Sequence, residues 1–214
     1  MESFEFAARL ADTAGDQPSD FVVLDIRPVD DSAREQIRRV WHKLAQAVSN
    51  FHQHTGNGSP HWTNWKIHEW IQSPPSGVSQ FAAWDDDCLA GFLSVRFPYV
   101  SPVEQALELP YVEHLITFPG NMDTRIWKRR LSHVGVALAG FVASHSRTIG
   151  KAGRFALHAV QESEKFWVAL GTGIDGFYSC DKTGISGSHP INETQRYFEV
   201  SEAGATQFLS RFAT

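Results

Sequence analysis

Gly135 stands where a chain most readily binds negative charge. It lies in the run Leu131-Ser132-His133-Val134-Gly135-Val136-Ala137, downstream of the strand-like segment Tyr-Val-Glu-His-Leu-Ile-Thr-Phe that begins at Tyr111. That segment stops at the breaker cluster Pro119-Gly120-Asn121. Leu131, Val134, Leu138, Phe141 and His145 then recur at helical spacing, which places Gly135 in the first turn of a helix. Amide N–H groups at a helix start lack intrahelical acceptors, and the helix dipole favours an anion there. Glycine lets that anion come close to the backbone. Strand, glycine turn and helix in this order predict a site for a phosphate-bearing cofactor.

Other residues of chemical promise carry plainer readings. Glu113 and His114 are neighbours on the strand, so alternation sends them to opposite faces and one acid–base pair is not expected. On its own Glu113 reads as a strand glutamate on a solvent face, paired with Lys or Arg. His133, just before the glycine, reads as polar surface. His52, His54, His61 and His68 match no zinc spacing and no cysteine joins them, so no metal is expected. Trp62, Trp65 and Trp70 are either a helix packing its indoles into the core or the aromatic wall of a pocket, with Glu69 as a carboxylate beside them. No Gly-x-Ser-x-Gly turn and no Gly-Lys-Ser or Gly-Lys-Thr phosphate loop occurs, which removes serine-nucleophile and NTPase chemistry. Asp175 and Cys180 lie in a glycine-rich stretch and nothing marks either out.

The elements that hold these residues follow from period and punctuation. Residues Met1 to Asp20 read as a peripheral helix or tail preceding one domain over residues 21–214. Phe-Val-Val-Leu-Asp-Ile-Arg-Pro from Phe21 is a strand. A helix from about Ala33 to Phe51 buries Ile37, Val40, Trp41, Leu44 and Val48. A short helix is expected over Thr63 to Ile71. Two strands around Asp85-Asp86-Asp87 form a hairpin. After the helix carrying Gly135 come Gly150 and Gly153, the strand Phe-Ala-Leu-His-Ala-Val from Phe155, and a helix ending at Gly171. A strand at Arg196 to Ser201 and a last helix or extended edge close the chain. Hairpins in the first half demand antiparallel pairing, and strand–helix–strand from Tyr111 to Val160 demands a parallel crossover. The fold class is α/β: a mixed, twisted sheet, antiparallel in its first half, with helices on both faces.

Bulk composition bounds the partners. The chain has 214 residues, 42% hydrophobic and 20% charged, which suits one domain with a substantial core. A net charge of -5 leaves no electrostatic footprint for nucleic acid. No apolar run is long enough for a membrane helix, and the N-terminus lacks the basic and apolar regions of a leader. Two cysteines, Cys88 and Cys180, are too few for a disulfide framework, so a reducing cytoplasmic setting is expected.

The element order, together with particular residues, resembles the GNAT superfamily of acyl-CoA-dependent N-acetyltransferases over roughly Val22 to Val200. Leu-Ser-His-Val-Gly-Val-Ala-Leu-Ala-Gly-Phe-Val from Leu131 is similar to the family's pyrophosphate loop and following helix, with Ser132, Gly135 and Ala137 at the motif positions. Phe166-Trp167-Val168-Ala169-Leu170-Gly171 is similar to the closing aromatic and Leu-Gly motif, and Ala-Gly-Phe-Leu-Ser-Val-Arg-Phe from Ala90 to the third strand. The resemblance implies acetyl-CoA as co-substrate in a cleft between two splayed strands. Its pantetheine arm would run along Leu115, Ile116 and Thr117, and its pyrophosphate would sit on the amides of Val134, Gly135, Val136 and Ala137. Glu113 matches the glutamate that deprotonates the amine, which must shed a proton before it has a lone pair to attack the thioester. The acceptor implied is a small-molecule or peptide amine. Two departures stand out. Ser132 replaces a long polar residue at the loop, and Trp167 replaces the tyrosine that protonates the leaving thiolate, a task no indole N–H performs. Tyr178 is the remaining candidate for that acid. These departures raise an alternative, a GNAT-shaped CoA-binding or regulatory module without transferase activity. Pairing of two copies through the C-terminal strand, with Phe208, Leu209 and Phe212 at the interface, is implied as well.

Overall fold

The computed structural model describes residues 4–10, 21–54, 71–119, 131–161, 163–180 and 195–212. The expected helix over Thr63 to Ile71, with Trp62, Trp65, Glu69 and Trp70, lies outside these residues apart from Ile71, as do His61 and His68. The chain forms two compact units. Met1–Leu93 with Leu115–Leu138 is the first, and Ser94–His114 with Ala139–Thr214 the second.

In the first unit, β1 (Phe4–Leu10), β2 (Phe21–Pro28), β3 (Val78–Asp85), the first half of β4 (Cys88–Val100), the end of β5 (Glu108–Thr117) and β6 (Leu131–Ser132) lie in the order β6-β1-β2-β3-β4-β5. The expectation of helix or tail over Phe4–Leu10 is not met. This segment is a strand, antiparallel to β2 from Phe4↔Ile26 to Arg9↔Phe21 and to β6 at Arg9↔Ser132 and Leu10↔Leu131. The Asp85-Asp86-Asp87 hairpin forms as expected, with Asp86 at φ 52. Short polar aspartate is among the residues that tolerate this left-handed backbone.

The predicted helix after β2 exists but is not uniform. It runs as α1 (Asp31–Gln36), a π-helical turn over Ile37–Trp41, then α2 (His42–His54). Asp30 caps it, accepting from the Ala33 N–H at 2.8 Å. The π turn accommodates an extra residue, so the buried stripe slips. Ile37 and Trp41 are buried as expected, but Val40 is 42% exposed and Ala45 takes the inward place thereafter. Ile37 and Trp41 join Ile71, Trp84, Leu89 and Phe92 in a core cluster against which Ile116 and Phe118 also pack. Full burial of each such large side chain contributes about 2–3 kcal/mol.

In the second unit the strand order is β4-β5-β7-β9-β8, with β7 at Phe155–Ala159, β8 at Phe177–Cys180 and β9 at Arg196–Val200. α3 (Val134–Thr148) leads from the first unit into this one and connects β5 to β7, which pair in parallel. β7 and β8 both pair antiparallel to β9. α4 (Glu164–Gly171) ends at the expected glycine, and the chain closes with α5 (Glu202–Ser210), a helix rather than an extended edge, capped by Ser201. β8 has no counterpart in the sequence reading. It follows Gly176, whose φ is +86, and any Cβ at that position would collide with Ser201 Oγ, so only glycine fits. The sheet is mixed and the fold α/β. The C-terminal aromatic residues serve the chain's own interior: Tyr197 and Phe198 are each 1% exposed, Phe208 is fully buried, and Phe212 stacks edge-on against Phe208.

Candidate functional site

The helix start forms in the first unit. Leu131 and Ser132 are held as a strand by β1, and α3 begins at Val134, three residues later than the apolar spacing alone implies. Between them His133 takes a left-handed conformation, φ 65, which turns the chain from strand into helix in one residue. Its Nδ1 lies 2.9 Å from Ser132 Oγ. The amide of Ala137 donates to the His133 carbonyl at 3.0 Å, the opening bond of the helix. That bond uses the N–H of Ala137 within the helix. Val134, Gly135 and Val136 precede it and have no intrahelical acceptor. Gly91 on β4 sets how close this turn lies to the strand end. A Cβ there would come 2.9 Å from Leu138 Cδ1, 3.0 Å from Val134 Cγ1 and 3.3 Å from the Ile116 carbonyl oxygen. Leu115, Ile116 and Thr117 form the end of β5 in this unit, and the chain then returns to β4 through Phe118 N–H to the Ala90 carbonyl at 2.7 Å.

In the second unit, β5 and β7 share two rungs, Tyr111↔Ala156 and Val112↔Leu157. The ladder stops there, although β5 runs on to Thr117 and β7 to Ala159. The next residue on β5 is Glu113 and the next on β7 is His158. Glu113 is not on a solvent face. Its side chain is 10% exposed and binds the Arg96 guanidinium on β4, with Nε and Nη2 each 2.6 Å from Oε1. Ser94 Oγ lies 3.4 Å from Glu113 Oε2 and 3.4 Å from His114 Nδ1. One hydroxyl on the adjoining strand therefore reaches both residues that alternation separates. Ser94 and Arg96 are not singled out by the sequence; their spacing of two in Ser-Val-Arg places them on one face of β4, but only the strand register sets them beside Glu113.

Beyond Glu113 the same face of the second unit carries a buried polar cluster. The Tyr111 hydroxyl is 2.9 Å from His158 Nδ1. Tyr197 donates a short hydrogen bond to Glu199 Oε2, and Ser101 Oγ donates to both Glu199 oxygens at 3.0 and 2.8 Å. Tyr99 stacks on Tyr111 at 4.5 Å. Burial, and then the Glu199 charge, push Tyr99 up to about 12. Burial likewise raises Tyr111 and Tyr197, and it lowers His158, whose imidazolium would lose hydration.

Tyr178 does not reach this place. It is 51% exposed on β8, and β9 and β7 stand between its strand and β5. Three strand spacings amount to about 14 Å. Trp167 is buried in α4, edge-on to Phe166.

No family model and no curated protein matches this sequence. Solved structures do resemble it in fold. An uncharacterized protein from Bacillus halodurans aligns with a TM-score of 0.55 at 8% identity, covering 89% of this chain and 90% of its own. A GCN5-related N-acetyltransferase from Rhodopseudomonas palustris aligns with a TM-score of 0.51 at 13% identity, over 82% of this chain and 94% of that one. The GNAT domain of PAT from S. lividans gives 0.50 at 13% identity, over 91% and 95%.

Proposed function

From the premise that the chain has the GNAT fold, we propose that it is an N-acyltransferase that moves the acetyl group of acetyl-CoA directly to an amine. The observation that carries this reading is the two-rung ladder between β5 and β7, whose last rung, Val112↔Leu157, lies directly before Glu113. The helix start that follows β5 supports it. Val134, Gly135 and Val136 would hold the pyrophosphate through backbone N–H groups, and the backbone of Leu115, Ile116 and Thr117 would accompany the pantetheine arm. Ala137 contributes through the helix it opens, since its own N–H is already used.

Glu113 is the proposed base. Arg96 occupies Oε1, so the proton would go to Oε2, the oxygen turned to Ser94. The neutral amine nitrogen then attacks the thioester carbon, the C–S bond breaks with its electron pair on sulfur, and the attacking nitrogen's surplus proton passes to that sulfur, leaving amide and thiol. The acceptor is a small-molecule or peptide amine. Isothermal titration with acetyl-CoA tests the binding half, and heat absent at millimolar ligand would end the reading. Thiol release against a panel of amines tests the transfer half.

A second reading has its own support. Trp167 is no acid, and Tyr178 lies on the edge strand β8, three strands from β5. A module that binds CoA without transferring its acyl group would show titration heat and no thiol release on any amine.

A further inference from the structure

The transferase scheme lacks a group to protonate the leaving thiolate, and the second unit offers one that neither sequence motif nor fold resemblance singles out. His158 is the first residue of β7 past the last rung with β5. In a parallel register it falls alongside Glu113, on the sheet face that Tyr111 and Ala156 share. Its ring is partly exposed, touches Tyr197 at 5.1 Å between centroids, and is fixed by Nδ1 against the Tyr111 hydroxyl at 2.9 Å. We propose that His158, oriented by Tyr111, is a catalytic proton carrier that takes a proton from the attacking amine nitrogen and returns it to the departing sulfur.

The step balances as follows. The neutral amine attacks, forming the N–C bond and a tetrahedral centre with a positively charged nitrogen. Nε2 of the neutral ring takes one N–H proton while Nδ1–H donates to the Tyr111 oxygen. The C–S bond breaks, its electron pair goes to sulfur, and Nε2–H passes the proton on. Amide and thiol leave, and the ring is neutral again. One group serves as base and then acid, so no separate tyrosine is required.

The resting ring must be neutral, and its surroundings keep it so. Among the described residues, the titratable and charged groups on this face include Tyr111 and Glu113 on β5, Tyr197 and Glu199 on β9, Tyr99 and Arg96 on β4, and Tyr178 on the outer strand β8. Tyr99, Tyr111 and Tyr197 are pushed above their ordinary range and stay protonated. Glu113 is held by Arg96, and Glu199 by Ser101 and Tyr197. Burial lowers the His158 pKa below its ordinary 6.5.

The inference rests on the transferase reading, and one kinetic series separates their failures. Rates are measured from about pH 5 to about pH 9 for wild type, His158→Gln and Tyr111→Phe, with acetyl-CoA and an amine the wild type turns over. Wild-type kcat is expected to rise on a limb below about pH 6.5. His158→Gln is expected to lose about 100-fold in kcat and the limb with it, at unchanged KM for acetyl-CoA. Tyr111→Phe is expected to keep part of the rate with the limb displaced. His158→Gln within twofold of wild type, limb intact, overturns this inference and leaves the transferase standing. Wild type inert on every amine overturns both. Should His158→Gln not fold, an unmoved limb in Tyr111→Phe is sufficient to overturn it.

Discussion

Glu113 binds Arg96 through one oxygen, and this division of its carboxylate leads to a testable split. Glu113→Gln keeps a hydrogen bond to the guanidinium and removes the basic oxygen. Titration should then give an unchanged acetyl-CoA affinity, while kcat falls about 100-fold; equal rates across pH would remove Glu113 from the chemistry. Ser101 matters for stability rather than turnover. Its hydroxyl donates to the buried Glu199 carboxylate and accepts the N–H groups of Val103 and Glu104 at 3.1 and 2.9 Å. Ser101→Ala leaves a charged group underbonded in the interior, and should cost about 2–3 kcal/mol, read as a lower urea midpoint at unchanged slope. Glu113 could be picked out only through the family resemblance, since its strand position alone reads as a solvent-face glutamate. Its partners could not, because Ser94 and Arg96 come from a strand whose register against β5 no local pattern specifies.

Strand β5 and helix α3 were legible because Pro119 and Gly150 follow their ends, and strand β7 because Gly150 and Gly153 precede it. Less was legible where a local signal was short or mixed. Phe-Glu-Phe-Ala-Ala-Arg-Leu of β1 begins with alternation and ends with helix formers, and only its two neighbouring strands decide between them. The four residues of β8 are too few to show a period. The π turn at Ile37–Trp41 has no composition of its own, and it moved Val40 outward against the helical template. Gly91 looked like any glycine in a strand, yet it limits how near α3 comes to β5. Gly91→Ala should cost about 1–3 kcal/mol by overpacking Val134 and Leu138, and should weaken acetyl-CoA binding by tilting the first turn of the helix. Full affinity in a folded variant would show that this turn does not set the cofactor's position.

The chain as a whole should lose stability on mild acidification. His145 and His158 both have pKa values lowered by burial, and His145 also stacks on Phe141 at 5.7 Å. The unfolded chain then binds more protons than the native one between the folded values and about 6.5. Stability is therefore complete above about pH 6.5 and declines as pH falls through the folded values. Urea midpoints should decrease from about pH 7.5 to about pH 5, and the decrease should flatten in His145→Gln. Among the described residues no helix is long and apolar enough to cross a membrane. The position of β1 bears on how the protein is handled at the bench. Its last two residues clamp Leu131 and Ser132 directly upstream of α3. Trimming the first ten residues, a routine way to tidy an expression vector, would therefore unfasten the approach to Gly135 from more than a hundred positions away along the chain. A shortened version that fails to retain acetyl-CoA would reveal a lost brace, and a negative assay on it would say nothing against the intact molecule.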